Sequence, residues 1–361
     1  MKKTILIIIC SLSGFALQPT HGQTTKNIVF VVMDGLRWQE VFNGADTTII
    51  NNKTFVSNKE KCMKKYWNSD VAARRSMLMP FLWSTVKEKG QIYGNRTKNS
   101  FVNVKNPFWF SYPGYNELLS GYADKNINSN EFGPNPNETI LEALNKTDEY
   151  KGKVAAFTSW DAFNDIINEK RSGVYVNAGF EKMPDGVAGT STALLNKMQY
   201  HLPDIFDGVR LDGATFTMGF EYMKQNKPRC MFLVFDETDD FAHGGRYVDY
   251  LNSAKYGDEF VKELWDWCQA TPEYKDKTTF IITCDHGRGV TTDGWKSHGT
   301  KHEHSDETWF AIIGPNTPAK GEITSGQFYN EQLAKSIANL LNFDFKANHP
   351  IAEGIEAVKA K

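Results

Sequence analysis

Cysteine is scarce in this chain. Five thiols occur in 361 residues, at Cys10, Cys62, Cys230, Cys268 and Cys284, and no two of them form a C-x-x-C pair. That excludes a disulfide-stapled scaffold and argues against a thiolate zinc site. Cys284, at the end of an apolar run, reads as a buried free thiol. Charge of one sign is lacking too: the formal net charge of -2 offers no basic field, so neither a nucleic-acid partner nor an anionic lipid surface is expected. After Leu17 no apolar stretch is long enough to span a bilayer, so no stable membrane insertion is expected. There is no low-complexity tract, no internal repeat and no interdomain linker. No G-x-G-x-x-G follows the first strand, which argues against a plain Rossmann nucleotide binder.

What is present begins with a leader. Lys2 and Lys3 precede an apolar run from Ile5 to Leu17, and Gln18-Pro19-Thr20-His21-Gly22 breaks it. This is the pattern of a secretory signal peptide over 1–22, implying an exported protein, periplasmic or secreted. Cys10 follows the large Ile9, which speaks against lipidation. Residues 23–361 are then expected to form one domain.

The first strand is Asn27–Met33, a continuous apolar run of the kind covered on both faces. Similar runs occur at Val154–Phe157, Met231–Phe235, Thr279–Thr283 and Trp309–Ile313. Helical patterns lie between them, at Glu138–Leu144, Leu194–His201, Ala214–Lys224, Tyr247–Trp267 and Gln327–Leu341. This alternation predicts an α/β fold: a doubly wound, mostly parallel sheet with helices on both faces. Two irregular stretches are expected as insertions. Residues 44–106 read as a helix with a loop or cap, and 173–208 as a loop-rich segment.

In open α/β sheets ligands bind beyond the carboxyl ends of the strands. Polar residues stand at those ends here. Asp34 follows Met33, Asp236 and Asp239 follow Phe235, and Asp285-His286 follow Cys284. Asp239 and His243 are four apart and can share one helical face. Singly these are ordinary: an Asp-Gly such as Asp34-Gly35 is usually a turn, and Asp239/His243 could be a surface pair. Together, Asp34, Asp239, His243, Asp285, His286 and His298 are a mixed carboxylate and imidazole set suited to Zn²⁺, with Mn²⁺ as the alternative. Six ligands are too many for one tetrahedral ion and suit two divalent ions.

Asp34-Gly35 after the first strand, Asp239-x-x-x-His243, Asp285-His286-Gly287 and His298-Gly299 resemble, in that order, the metal motifs of the alkaline phosphatase superfamily. The likeness is nearest to its nucleotide pyrophosphatase/phosphodiesterase-like and phosphoglycerate-mutase-like branches. Phe110-Ser111-Tyr112-Pro113-Gly114-Tyr115 is similar to their nucleophile segment. The resemblance implies one ion held by Asp239, His243 and His298. It implies a second held by Asp34, Asp285 and His286, with Ser111 as a variable ligand. His302 and His304 compete with His298, which is preferred for its glycine and its distance before Trp309–Pro315. Asp236 and Glu237 are alternatives to Asp239 or supports for the histidines, and Asp240 is expected to face solvent.

Ser111 is expected to be the catalytic nucleophile, activated by metal at the start of a helix whose N–H groups favour an anion. The competing reading is a simple N-cap. Asn130, with Asn128 as competitor, stands about where phosphodiesterase relatives place a phosphate-binding asparagine. Tyr112, Trp109, Trp160 and Arg288 are candidates to line the substrate pocket. The expected function is hydrolysis of a small-molecule phosphate ester, monoester or diester, through a phosphoseryl intermediate. A formylglycine sulfatase is disfavoured because Tyr115 stands where that signature requires arginine. An inert metal-binding scaffold is the remaining alternative, although no ligand is visibly missing.

Overall fold

The protein's structure is a computed structural model that describes residues 24–184 and 190–360. The expected leader lies outside the described residues. The described residues form ten strands: β1 (Asn27–Met33), β2 (Gln91–Tyr93), β3 (Ser100–Asn103), β4 (Val154–Thr158), β5 (Tyr175–Ala178), β6 (Cys230–Phe235), β7 (Thr278–Thr283), β8 (Phe310–Ile313), β9 (Gly321–Glu322) and β10 (Gly326–Tyr329). Eight of them make one sheet in the order β5-β4-β6-β1-β7-β8-β2-β9. β1 pairs in parallel with both β6 and β7, and only the β7–β8 and β8–β2 pairings are antiparallel. The mostly parallel α/β fold read from the alternation of patterns is thus the fold observed.

The pleat explains the layers. Successive strand side chains point to opposite faces. Val29, Val31 and Met33 enter the core on one side of β1, and Ile28, Phe30 and Val32 the core on the other. Every residue of β1 is buried, as its unbroken apolar run requires.

The stretch expected as a helix with a cap is richer than that. Between 44 and 106 lie the helices Thr47–Ile50, Lys59–Tyr66 and Val71–Leu78, a π-helical turn Leu82–Val86, and β2, which adds to the main sheet. The expected loop-rich 173–208 contains β5 and the helix Thr190–Tyr200. The pattern read as one helix over Gln327–Leu341 divides into edge strand β10 and a helix Gln332–Leu340. All four cysteines among the described residues are buried and unpaired.

One buried acid ties the 44–106 segment to the body. Asp258, on the helix Tyr247–Ala270, accepts from Phe81 N at 2.7 Å and Leu82 N at 2.9 Å, capping the turn that starts there. Burial pushes its carboxyl up to about 7, against the pull of those two N–H donors. The folded state therefore keeps this proton to a higher pH than the unfolded chain does. Its contribution to stability falls as pH rises from the ordinary carboxylate range to about 7, and is level above that. Asp258→Asn should flatten part of the slope of Tm against pH in that window. It should also cost on the order of 1 kcal/mol at low pH, because an amide accepts the two bonds less well, and that cost should shrink as pH rises to about 7. A slope unchanged by the substitution would remove Asp258 as its source.

Candidate metal and nucleophile site

β6, β1 and β7 are adjacent in the sheet, and each ends in candidate ligands. Asp34 leaves β1 with its backbone N–H bonded to Phe235 O at the end of β6. The helix Glu237–His243 follows β6 and carries Asp239 and His243 one turn apart. Asp285 and His286 follow β7. The turns need glycine at two close approaches. Gly35 has φ +57°, and a Cβ there would sit 2.7 Å from Asp239 Oδ1. A Cβ at Gly114 would lie 2.6 Å from Asp285 O, so only glycine lets the serine-bearing helix come this close to β7.

These side chains form two overlapping clusters, Asp34–Asp285–His286 and Asp239–His286–His298, each with its ligand atoms within 4.8 Å of one another. His286 Nε2 is their common point. It lies 3.2 Å from Asp34 Oδ1, 3.5 Å from Asp285 Oδ2 and 3.8 Å from Asp239 Oδ1. Ser111 Oγ is 3.3 Å from the same nitrogen. His243 Nε2 is 3.0 Å from Asp239 Oδ2 and 3.0 Å from His298 Nε2. All seven expected metal-site residues therefore come together. His304 does not join them: its Nδ1 bonds Glu307 Oε1 at 2.7 Å. His302 belongs to neither cluster among the described residues.

The donor set fits divalent cations. Asp34 Oδ1 and Asp285 Oδ2 are buried without a hydrogen-bond partner, a costly state for carboxylates unless a cation meets them. His286 Nδ1 donates to Gly287 O at 2.8 Å, so in the neutral ring the Nε2 lone pair would be free for a cation held between it and the carboxylates. Without an ion the charges must be absorbed by protons. Burial and the neighbouring Asp34 hold Asp285 well above the usual carboxylate range. Burial alone would lower His286, but Asp285 and Asp34 raise it to about 9. Burial and the nearby His286, with ring centroids 4.0 Å apart, depress His298. Burial would raise Asp239, yet Arg288 and the two histidines hold it well below the usual range.

Ser111 is the first residue of the helix Ser111–Ser120, not its cap; Phe110 occupies that place and makes no side-chain cap bond. Proline at 113 is accommodated in the first turn, where no N–H is needed. The preceding loop is fastened by buried Glu117. Its carboxylate accepts from Lys105 N, from Asn106 N at 2.8 Å and from Asn106 Nδ2 at 3.0 Å. Asn106 Oδ1 in turn takes Trp109 N at 2.9 Å, beside the left-handed Trp109 at φ 60°.

A pocket of about 190 Å³ opens beside Ser111, lined by Asp34, Asn130, Trp160, Phe206, Asp207, Val209, Asp236, Asp239 and Asp240. Asn130 and Trp160 are where the sequence placed them. Tyr112 is not: its ring is buried in the core, its hydroxyl donates to Gly133 O, and only its N–H matters here, donating to Asn130 Oδ1 at 3.0 Å. Arg288 is fully buried and donates to Asp239 Oδ1, Trp295 O and Lys296 O rather than lining the pocket. Asp236 accepts from Trp160 N at 3.1 Å, and Glu237 turns away to Asp212 N and Ser253 Oγ. Asp240, expected in solvent, lines the pocket, and burial with the nearby Asp239 and Asp34 pushes it up to about 8. Phe206 and Asp207 were missed, since nothing in their local sequence marks a pocket wall.

Solved structures of the alkaline phosphatase superfamily share the fold of this sheet. The alkaline phosphatase PafA superposes with TM-score 0.60 at 9% identity, over 93% of this chain and 99% of that one. The lipoteichoic acid synthase LtaP of Listeria monocytogenes gives 0.59 at 12%, over 94% and 77%. Within that superfamily the chain belongs to the type I phosphodiesterase / nucleotide pyrophosphatase family, whose model matches residues 42–310. It is also 27% identical over 232 residues to mouse GPI ethanolamine phosphate transferase 1, covering 62% of this chain. The chain spans 23% of the length of that relative. Among the described residues no helix is long and apolar enough to cross a membrane.

Proposed function

We propose that this chain is an exported, two-metal phosphate-ester hydrolase that works through a phosphoseryl intermediate at Ser111. The observation that carries the reading is the position of Ser111 Oγ, 3.3 Å from the His286 nitrogen that both carboxylate clusters share. Asp239, His243 and His298 would hold one ion and Asp34, Asp285 and His286 the other, Zn²⁺ by ligand type with Mn²⁺ as the alternative. Such ions would lower the pKa of the serine hydroxyl and neutralise charge on the attacking and leaving oxygens.

The chain's own residues do the rest. Ser111 loses its proton to solvent and its Oγ bonds to phosphorus as the bond to the leaving oxygen breaks, and that oxygen takes a proton from solvent to depart as the alcohol. Water then cleaves the phosphoserine, restoring Ser111 and releasing the phosphate product. Asn130, its Oδ1 held by Tyr112 N, is left with an amide NH₂ to donate to a phosphate oxygen. Trp160, Phe206 and Val209 shield one side of the pocket from water. A panel of aryl phosphate monoesters, diesters and sulfates, assayed with zinc-loaded protein, tests the reading. Chelator-sensitive release from a phosphate ester supports it and chooses between monoester and diester, whereas turnover of the sulfate alone would sink it.

The pocket wall also constrains the leaving group. It carries five carboxylates and two aromatic rings, and neither Lys nor Arg. Of the acids, Asp207, Asp236 and Asp240 are outside the proposed ligand set, and the Asp207 carboxylate would repel an anionic leaving group. An ammonium is suited to such a wall of rings and acids. Ethanolamine phosphate, named for the curated relative, carries one. Matched aryl esters bearing a quaternary ammonium, no charge or a carboxylate should be hydrolysed in that order, with kcat/KM differing roughly tenfold between the ends. Asp207→Asn should narrow the spread; fastest hydrolysis of the carboxylate-bearing ester would refute the idea.

A further inference from the structure

Tyr115 bears on the same chemistry from one turn further along the nucleophile helix. It is four residues beyond Ser111, hence on the same helical face. Its ring is 0% exposed and lies edge-on to Phe163, with centroids 4.6 Å apart. Its hydroxyl donates to Asp34 Oδ2 at 2.7 Å. The other oxygen of that carboxylate, Oδ1, has no hydrogen-bond partner and faces His286 Nε2.

The same division recurs on the neighbouring ligand. Asp285 Oδ1 accepts from Gly35 N at 3.1 Å, while Oδ2 is buried and unpartnered. Asp239 is split as well, with Oδ1 taken by Arg288 and Oδ2 facing His243. In each case a protein donor occupies one oxygen and fixes the plane of the carboxylate, and the other oxygen is left for a cation. The backbone of Asp34 is already tied, its N–H to Phe235 O and its carbonyl to Thr238 Oγ1 at 2.5 Å. The side-chain torsion is the freedom that remains, and the Tyr115 hydroxyl removes it.

We infer that Tyr115 is a positioning residue for Asp34. It holds that carboxylate as a one-oxygen ligand and fixes the metal pocket to the helix that presents Ser111. The inference rests on the two-metal reading above. Tyrosine is required rather than phenylalanine only for its hydroxyl, because the ring by itself satisfies the packing against Phe163.

Tyr115→Phe separates the two roles. Zinc affinity of the full-length protein would be measured by competition with a chromophoric chelator, and the zinc concentration for half-maximal activity alongside it. Loss of an outer hydrogen bond to a ligand typically weakens metal binding about 10–100-fold. We expect a loss of that order at one of two sites, a matching rise in the zinc needed for activity, and kcat within a few-fold of wild type once zinc is saturating. Phe163→Leu disturbs the ring contact but leaves the hydroxyl, and should leave zinc affinity unchanged. Wild-type zinc affinity in Tyr115→Phe, or an equal loss in Phe163→Leu, overturns the assignment to Tyr115. Failure of the wild-type chain itself to bind zinc would instead overturn the two-metal reading, and this inference with it.

Discussion

Ser111→Ala should lower turnover of the best phosphate ester by on the order of 10³-fold or more, while zinc still binds at two sites. The serine contributes little to the fold. It is the first residue of its helix, where alanine is well tolerated, and its Oγ has a single contact, to His286 Nε2. Losing that contact costs roughly 0.5–1.5 kcal/mol at most, small beside the stability of a domain this size. The catalytic loss is of another kind. On the proposed covalent route no phosphoseryl ester forms without Oγ, and water must attack phosphorus directly. Rapid-quench labelling with a ³²P ester adds a second readout: the wild type should trap phosphate on Ser111 and the variant none. Wild-type turnover in Ser111→Ala would falsify the covalent route while leaving the metal assignments standing.

Zinc should raise the melting temperature of the wild-type protein strongly. Saturating a site at about 1,000 times its Kd stabilises the folded state by ~4 kcal/mol, or roughly 6 °C for a protein of this size. The metal-free protein is the weak partner in this comparison, because Asp34 and Asp285 are buried with one unpartnered oxygen each. Burial and Asp34 lift Asp285 well above the usual carboxylate range. In metal-free protein the folded state thus holds this proton longer than the unfolded chain. Metal-free stability should fall as pH rises above the usual carboxylate range. Asp285→Asn keeps the acceptor for Gly35 N and removes the charge. At pH 8 the metal-free variant should melt above the metal-free wild type, yet show little of the zinc-induced rise and no turnover. Calorimetry with and without chelator reads both effects. A variant that melts lower without metal, and still gains fully from zinc, would show that Asp285 is structural.

Much of the site was legible before the fold was known, and the reasons are local. The unbroken apolar run of β1 could only be a strand covered on both faces, so Asp34 had to stand at a strand end. Asp239 and His243 are four apart on a helix, which puts them on one face whatever surrounds it. Of the three histidines, His298 joins the cluster, while His304 is engaged by Glu307. The misreadings have physical causes too. β2 has three residues, too few for any periodicity to register. The residues of β10 stand in apolar spacing with those of the following helix, so the two read as one element. Asp240, expected to face solvent, lines the pocket instead. The pocket wall that covers it comes from Phe206 and Asp207, distant in sequence.

The sequence by itself determined the sheet's central strands and the types and order of the candidate ligands, because strand periodicity and donor chemistry are properties of short segments. Tertiary structure decided which strand ends are neighbours, which oxygen of each carboxylate stays free, and that Tyr115, Arg288 and Gly35 take the others. Those outcomes depend on pairings between residues as far apart as Asp34 and Asp285. Such contacts are set by how the layers pack, and no local pattern encodes them.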